Sequence, residues 1–162
     1  MIIRNAVETD ISEINEIYTI ARQFMRDNGN KKQWINGYPS EELLKNDIKE
    51  NNLYVCVENN SLCGVFAFIL GDDPTYKVIE NGHWHSNNTY GTIHRIGSNG
   101  KVKGLAKQAF DFCLTKSSYL RIDTHEDNVP MRNTVTKYGF KKCGTIYVAD
   151  GSPRVAFDYI KL

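Results

Sequence analysis

No apolar run in this 162-residue chain is long enough to cross a membrane; the longest, Val65 to Leu70, is the size of a strand. No signal peptide is visible either, because Met1-Ile2-Ile3-Arg4 leads directly into a patterned segment. Neither charge sign is in excess: 20 basic and 19 acidic residues leave a formal net charge of +1, and no basic stripe with interleaved aromatics occurs. A nucleic-acid partner and a membrane partner are therefore not expected. Cysteine is sparse, and Cys56, Cys63, Cys113 and Cys143 form no C-x-x-C pair. Three of them stand among β-type apolar residues, which reads as small buried hydrophobes in a reducing, cytoplasmic compartment rather than disulfides or a catalytic thiol. Repeats, low-complexity tracts and linkers are absent too, so residues 1–162 are expected to form a single domain.

What is present is a clear alternation of element types. Ile2 to Val7 reads as a strand. Asp10 and Glu13 suggest a capped helix start, followed at helical spacing by Ile11, Ile14, Ile17, Tyr18, Ala21, Phe24 and Met25, with Asn28-Gly29 as the stop. Ser40 caps a second helix carrying Glu41 and Glu42 in its first turn. Leu53 to Glu58 and Leu62 to Leu70 form a hairpin across Asn59-Asn60. A long irregular stretch, Gly71 to Asn88, precedes a strand from Tyr90 to Ile96 and a helix running to about Lys116. Its inward face is expected to be Leu105, Ala109, Phe112 and Cys113. A strand at Tyr119 to Thr124, a helix from Asn128 to Tyr138-Gly139, and strands at Cys143 to Val148 and Arg154 to Ile160 complete the chain. The order βααβββαβαββ implies an α/β (mixed α+β) fold with helices on both faces of one sheet.

The informative stretch is His94 to Ala106. Gly97, Ser98, Gly100 and Gly104 bare the backbone where a helix begins, and Lys101, Lys103 and Lys107 surround it. The first N–H groups of a helix have no internal partner and its dipole is positive there, so the segment reads as a diphosphate cradle. Two common nucleotide cradles are excluded. A P-loop would need glycine at Arg95 and Ser or Thr at Val102, and the glycines at 97, 100 and 104 do not make G-x-G-x-x-G in a first βαβ unit.

Lys101-Val102-Lys103-Gly104-Leu105-Ala106 resembles motif A of the GNAT superfamily of acyl-CoA-dependent N-acetyltransferases, Arg/Gln-x-x-Gly-x-Gly/Ala, with Lys101 departing from the pattern. Asn128 to Phe140 resembles the family's motif B. The resemblance implies a GNAT-like three-layer fold, with a mixed, mostly antiparallel sheet of about seven strands. It implies acetyl-CoA as acyl donor, bound without a metal. Ile96, Gly97, Ser98, Gly100, Lys101, Val102, Lys103, Gly104, Leu105 and Ala106 would hold it, with Asn128 and Asn133 contributing from motif B. Asn128 also suits a plain helix N-cap. The acceptor would be a primary amine of a small molecule or peptide. Whether the chain forms a homodimer, through an edge strand or its C-terminal hairpin, is left open by the sequence.

For such a transfer, a base must take the amine proton. His94 is the first candidate, because its strand would border the thioester; by alternation it shares a face with Ile96, which equally suits a core histidine. Asp123, His125 and Glu126 are further candidates at the end of the next strand, where a solvated helix-capping turn is the competing reading. The usual motif B tyrosine position holds Val135, and Tyr138 and Tyr147 lie elsewhere, so the acid is unassigned. Val135 and Lys101 also fit an alternative, a non-catalytic acyl-CoA-binding domain. Trp34, Tyr38 and Trp84, with Tyr76, are candidate walls of an acceptor pocket, or covers for the core. His83 and His85 have no third ligand at metal-site spacing, so no metal is expected.

Overall fold

The computed structural model describes residues 1–162. Seven strands form one sheet in the order β1-β2-β3-β4-β5-β7-β6: β1 Ile2–Asn5, β2 Leu53–Glu58, β3 Ser61–Leu70, β4 Gly91–Ser98, β5 Tyr119–Thr124, β6 Lys141–Tyr147 and β7 Pro153–Ile160. Every pair is antiparallel except β4–β5, which is parallel. The helices are α1 Ile11–Asp27, α2 Glu41–Lys49, α3 Leu105–Leu114 and α4 Val129–Tyr138. The expected order of elements holds, and strand and helix ends differ from the sequence reading by one to two residues.

The sheet is buried on both sides, and β3 near its centre is accordingly a continuous apolar run from Leu62 to Leu70. Val55, Val65 and Ala67 pack against α1, whereas Cys56, Phe66 and Phe68 pack against α3 and α4. The long segment from Gly71 to Tyr90 covers the remaining part of the α1-side face, where Tyr76, Tyr90, Tyr119 and Ile146 make a third cluster. Asn59 and Asn60 both adopt positive φ (51° and 64°), as the tight β2–β3 hairpin requires.

Two local expectations change. Asp10 does not cap α1 with its side chain; the Arg4 guanidinium takes its carboxylate in a two-pronged pair at 2.8 and 3.0 Å, and Val7 N–H donates to it at 2.8 Å. On α3 the core position is Phe110, fully buried, while Phe112 is partly buried and lies edge-on to Tyr54.

The sheet's main irregularity organises everything near it. β4 pairs with β3 at Val65↔Gly97 and again at Ala67↔His94, so Arg95 and Ile96 together face one β3 residue. Arg95 carries the bulge at φ +53°. The bulge breaks the alternation, putting Ile96 against the α3-side core while His94 faces the α1 side; they do not share a face as expected. Tyr18 clasps this point from α1: its ring would lie 3.2 Å from a Cβ on Gly97, and its hydroxyl donates to the Arg95 carbonyl at 2.8 Å. Beyond Thr92↔Arg121 the parallel pair β4–β5 has no further partners, and the two strands part.

Candidate active site

Where β4 and β5 part, two cavities open along successive stretches of β4. The first, about 280 Å³, touches Ile96, Gly97 and Ser98, the first turn of α3, α1 through Phe24 and Met25, and α4 through Met131 and Thr134. Its wall at α3 is unusual in its hydrogen bonding. Asn99 is tied to the Cys63 and Leu62 carbonyls. The Gly100 and Lys101 amides are used internally, by Ser98 Oγ (3.0 Å) and Asn99 Oδ1 (3.1 Å). From residue 102 to residue 107, no amide N–H finds an acceptor in the chain. Intrahelical bonding resumes at Gln108, which donates to Gly104. The expected donor set is thereby narrowed: residues 102–107 present free amides, and Gly100 and Lys101 shape the loop instead.

Gly100 and Gly104 sit at φ +78° and +73°, and a side chain begun at either would meet nothing within 4 Å, so backbone conformation rather than crowding selects glycine. Lys101 and Lys103 are exposed and unpaired, whereas Lys107 is committed to Asp111 at 2.8 Å. An anion of diphosphate type fits this concentration of unshared donors. Asn128 borders the same cavity and also caps α4, its Oδ1 accepting from Met131 N–H at 3.3 Å. Asn133 is exposed and outside the cavity; its neighbour Thr134 borders it, as does Met131. Val135 is fully buried in the core.

The second cavity, about 540 Å³, is bounded by β4, β5, the loop after α1 and the β6–β7 turn. His94 lies on its floor with Nε2 3.0 Å from Asp73 Oδ2. Burial works against charge on Asp73, but bonds from His94 and from the Thr75 hydroxyl and amide prevail and hold its carboxyl at about 2. An ionised Asp73 can only accept, so the proton of neutral His94 is on Nε2 and Nδ1 keeps its lone pair. Nδ1 has no partner in the chain. Asp123 borders the same cavity; burial pushes its carboxyl up, against the pull of His94 and a 2.6 Å bond from the Tyr76 hydroxyl.

Trp34 and Tyr38 line this cavity as expected. The loop that carries them is bolted down through Gln33, whose Oε1 accepts from Asn30 Nδ2 (2.9 Å) and, more distantly, from His125 N–H and Asn128 Nδ2. Arg95, turned by the bulge, is buried against Asp47 of α2 and reaches the Tyr38 hydroxyl at 3.4 Å.

Other candidates fall outside the cavity. Glu126 is exposed, and only its carbonyl is engaged, by Arg132. His125 is not on the cavity wall; its Nδ1 accepts from Asp127 N–H at 3.0 Å, and burial and Arg154 lower its pKa, so its lone pair serves the turn. Trp84 lies over the Arg121 guanidinium at 4.1 Å and bonds the Tyr76 carbonyl, covering the core rather than an acceptor. Tyr138 and Tyr147 are occupied by Asp111 (2.6 Å) and Glu80 (3.0 Å).

Sequence reading missed Asp73, Asp47 and Arg95. The run Asp72-Asp73-Pro74-Thr75 signals a turn, and Asp73 does cap the 3₁₀ turn Pro74–Tyr76, but its bond to His94 spans 21 residues and has no local signature. The fold also brings Cys143 and Asp158 beside His85, at 3.4 and 2.7 Å from Nδ1. Burial, reinforced by Asp158, pushes the Cys143 thiol up.

No family model matches the sequence, and no curated protein matches it. Solved structures do. A GNAT-family acetyltransferase from Streptococcus agalactiae is 32% identical with a TM-score of 0.90, the alignment covering 99% of this chain and 95% of that one. A GNAT-family acetyltransferase from Listeria monocytogenes superposes with a TM-score of 0.71 at 18% identity, covering 98% and 94% of the two chains. The ribosomal-protein-alanine N-acetyltransferase of Brucella melitensis has the same fold at 13% identity, with a TM-score of 0.63 and 99% of each chain covered.

Proposed function

The chain belongs to the GNAT family of acetyltransferases, and on that premise we propose that it moves an acetyl group from acetyl-CoA to a primary amine by direct attack in a ternary complex. The observation that carries this reading is the run of unshared amides from residue 102 to 107 at the end of the first cavity, with the His94–Asp73 pair in the second. The residues fit the donor: amides 102–107 with Lys101 and Lys103 would hold its diphosphate, and Asn128 and the parted β4 edge would receive its arm.

Bound acetyl-CoA supplies a thioester, whose C–S bond breaks as the acceptor nitrogen forms the new C–N bond and the sulfur leaves as thiolate. His94 takes the proton that the amine gives up, at Nδ1, while Asp73 holds the ring through Nε2. Asp123 and Tyr76, joined by their 2.6 Å hydrogen bond, stand behind this pair. No covalent acyl-enzyme is invoked, since burial keeps Cys56, Cys113 and Cys143 as thiols.

No helix is long and apolar enough to cross a membrane; we place the activity in the cytoplasm. The burial of Val135 favours one rival, an acyl-CoA-binding domain without catalysis. Isothermal titration with acetyl-CoA, followed by amine-dependent thiol release, tests both. Saturable heat with amine-dependent release is expected. No heat at millimolar acetyl-CoA would overturn the proposal, and heat without release on a broad amine panel would favour the rival.

A further inference from the structure

We infer that the acceptor is a small amino-carboxylate, carrying an anionic group as well as the reacting amine; this rests on the acetyl-transfer reading of the same site. The second cavity is electrically divided. Its floor holds His94 with the carboxyl groups of Asp73 and Asp123. Its rim holds Lys32, from the loop after α1, and Arg154, at the start of β7, neither of which forms an ion pair within the chain.

The fields of Arg154 and Lys32 both reach His125, just outside the cavity at the C-terminal end of β5, and that of Arg154 also reaches Asp123 on the cavity wall. The remaining rim acid, Asp150, accepts from the Ser152 hydroxyl and amide, bonds that together with the field of Arg154 favour its charged form, so the rim sets two cations against one carboxylate. A diamine would put its distal ammonium against these cations, which like-charge repulsion disfavours. An amino-carboxylate matches both ends: its anion meets Lys32 and Arg154, and its amine is left toward the His94 floor. Arg154 is half-buried and its other guanidinium contact is only the Pro153 carbonyl at 2.9 Å, so its fork retains donors for a carboxylate.

The test is thiol release from acetyl-CoA with the proteinogenic amino acids, each beside its carboxamide and its decarboxylated amine. At least one amino acid should exceed its amide and amine in kcat/KM by about tenfold, the factor carried by one charge-assisted contact of about 1.4 kcal/mol. In the Lys32→Ala and Arg154→Ala variants that acid-over-amide ratio should fall toward one through KM, and more so at low salt, with acetyl-CoA heat unchanged as the check on folding. Acetyl-CoA binding combined with equal or better use of amides and plain amines overturns the inference alone. So does a preference for acids that survives loss of both cations. Absence of acetyl-CoA binding overturns the proposed function, and this inference with it.

Discussion

Residue 104 offers a perturbation in which strain and charge can be separated. Gly104 is the N-cap of α3 at φ +73°, exposed, with open space where a side chain would begin. Any L-residue there incurs about 1–2 kcal/mol for the left-handed conformation. Gly104→Gln and Gly104→Glu should therefore lose the same stability, about 2–8 °C in Tm at this chain length. Only glutamate brings negative charge. At about 5 Å from a diphosphate and an effective dielectric of about 20–40, a carboxylate costs about 2–3 kcal/mol, or about 30- to 150-fold in Kd. Titration of both variants with acetyl-CoA in low salt should show that gap between Glu and Gln. The gap should narrow toward 1 M salt, where the Debye length contracts to about 3 Å. Equal affinities of the two folded variants would refute the placement of an anion beside the amides of residues 102–107.

Three further predictions concern the second cavity. His94→Ala should lower kcat by about 100-fold or more, as expected for loss of a general base, while leaving acetyl-CoA heat intact; an unchanged pH–rate profile would remove His94 from that role. Asp73, held at about 2 in the fold against an ordinary value of 3.8, stabilises the native state above that ordinary value and loses the contribution as pH falls through about 2. Chemical denaturation of Asp73→Asn should accordingly show a flatter stability profile between about pH 4 and pH 2 than the parent; parallel profiles would contradict the assigned pairing. Asp47→Ala leaves the Arg95 guanidinium buried without its counter-charge and should destabilise by about 3–5 kcal/mol in urea unfolding. A loss below about 1 kcal/mol would show that Arg95 finds water or another partner.

Much of the architecture follows from local pattern. The spacing of Ile14, Ile17, Tyr18, Ala21 and Met25 makes α1 amphipathic in any context, Ser40 caps α2 through Leu43 N–H, and Asn59-Asn60 turns a hairpin wherever it stands between two strands. The cradle belongs to this class as well, since Gly100, Gly104 and the start of α3 are neighbours in the chain. Its donors could not be apportioned from pattern alone: which amides Ser98 and Asn99 consume depends on loop geometry.

The acceptor side is a different matter. His94 and Ile96 lie on opposite faces because Arg95 bulges out of β4 and resets the alternation, where strand periodicity would have kept them together. The His94–Asp73, Tyr76–Asp123 and Arg95–Asp47 pairs each join residues at least 20 positions apart. Conversely, Asp123 and His125 are close in sequence, yet the turn at Asp127 diverts the histidine to a local bond. What the amino-acid order determined unaided was therefore the succession of elements and the glycine-rich loop that opens α3, whose physics is confined to adjacent residues. Which imidazole is free to act, and which charges surround it, was decided by tertiary structure, because hydrogen bonds and Coulomb forces act across space and leave no spacing rule in the chain.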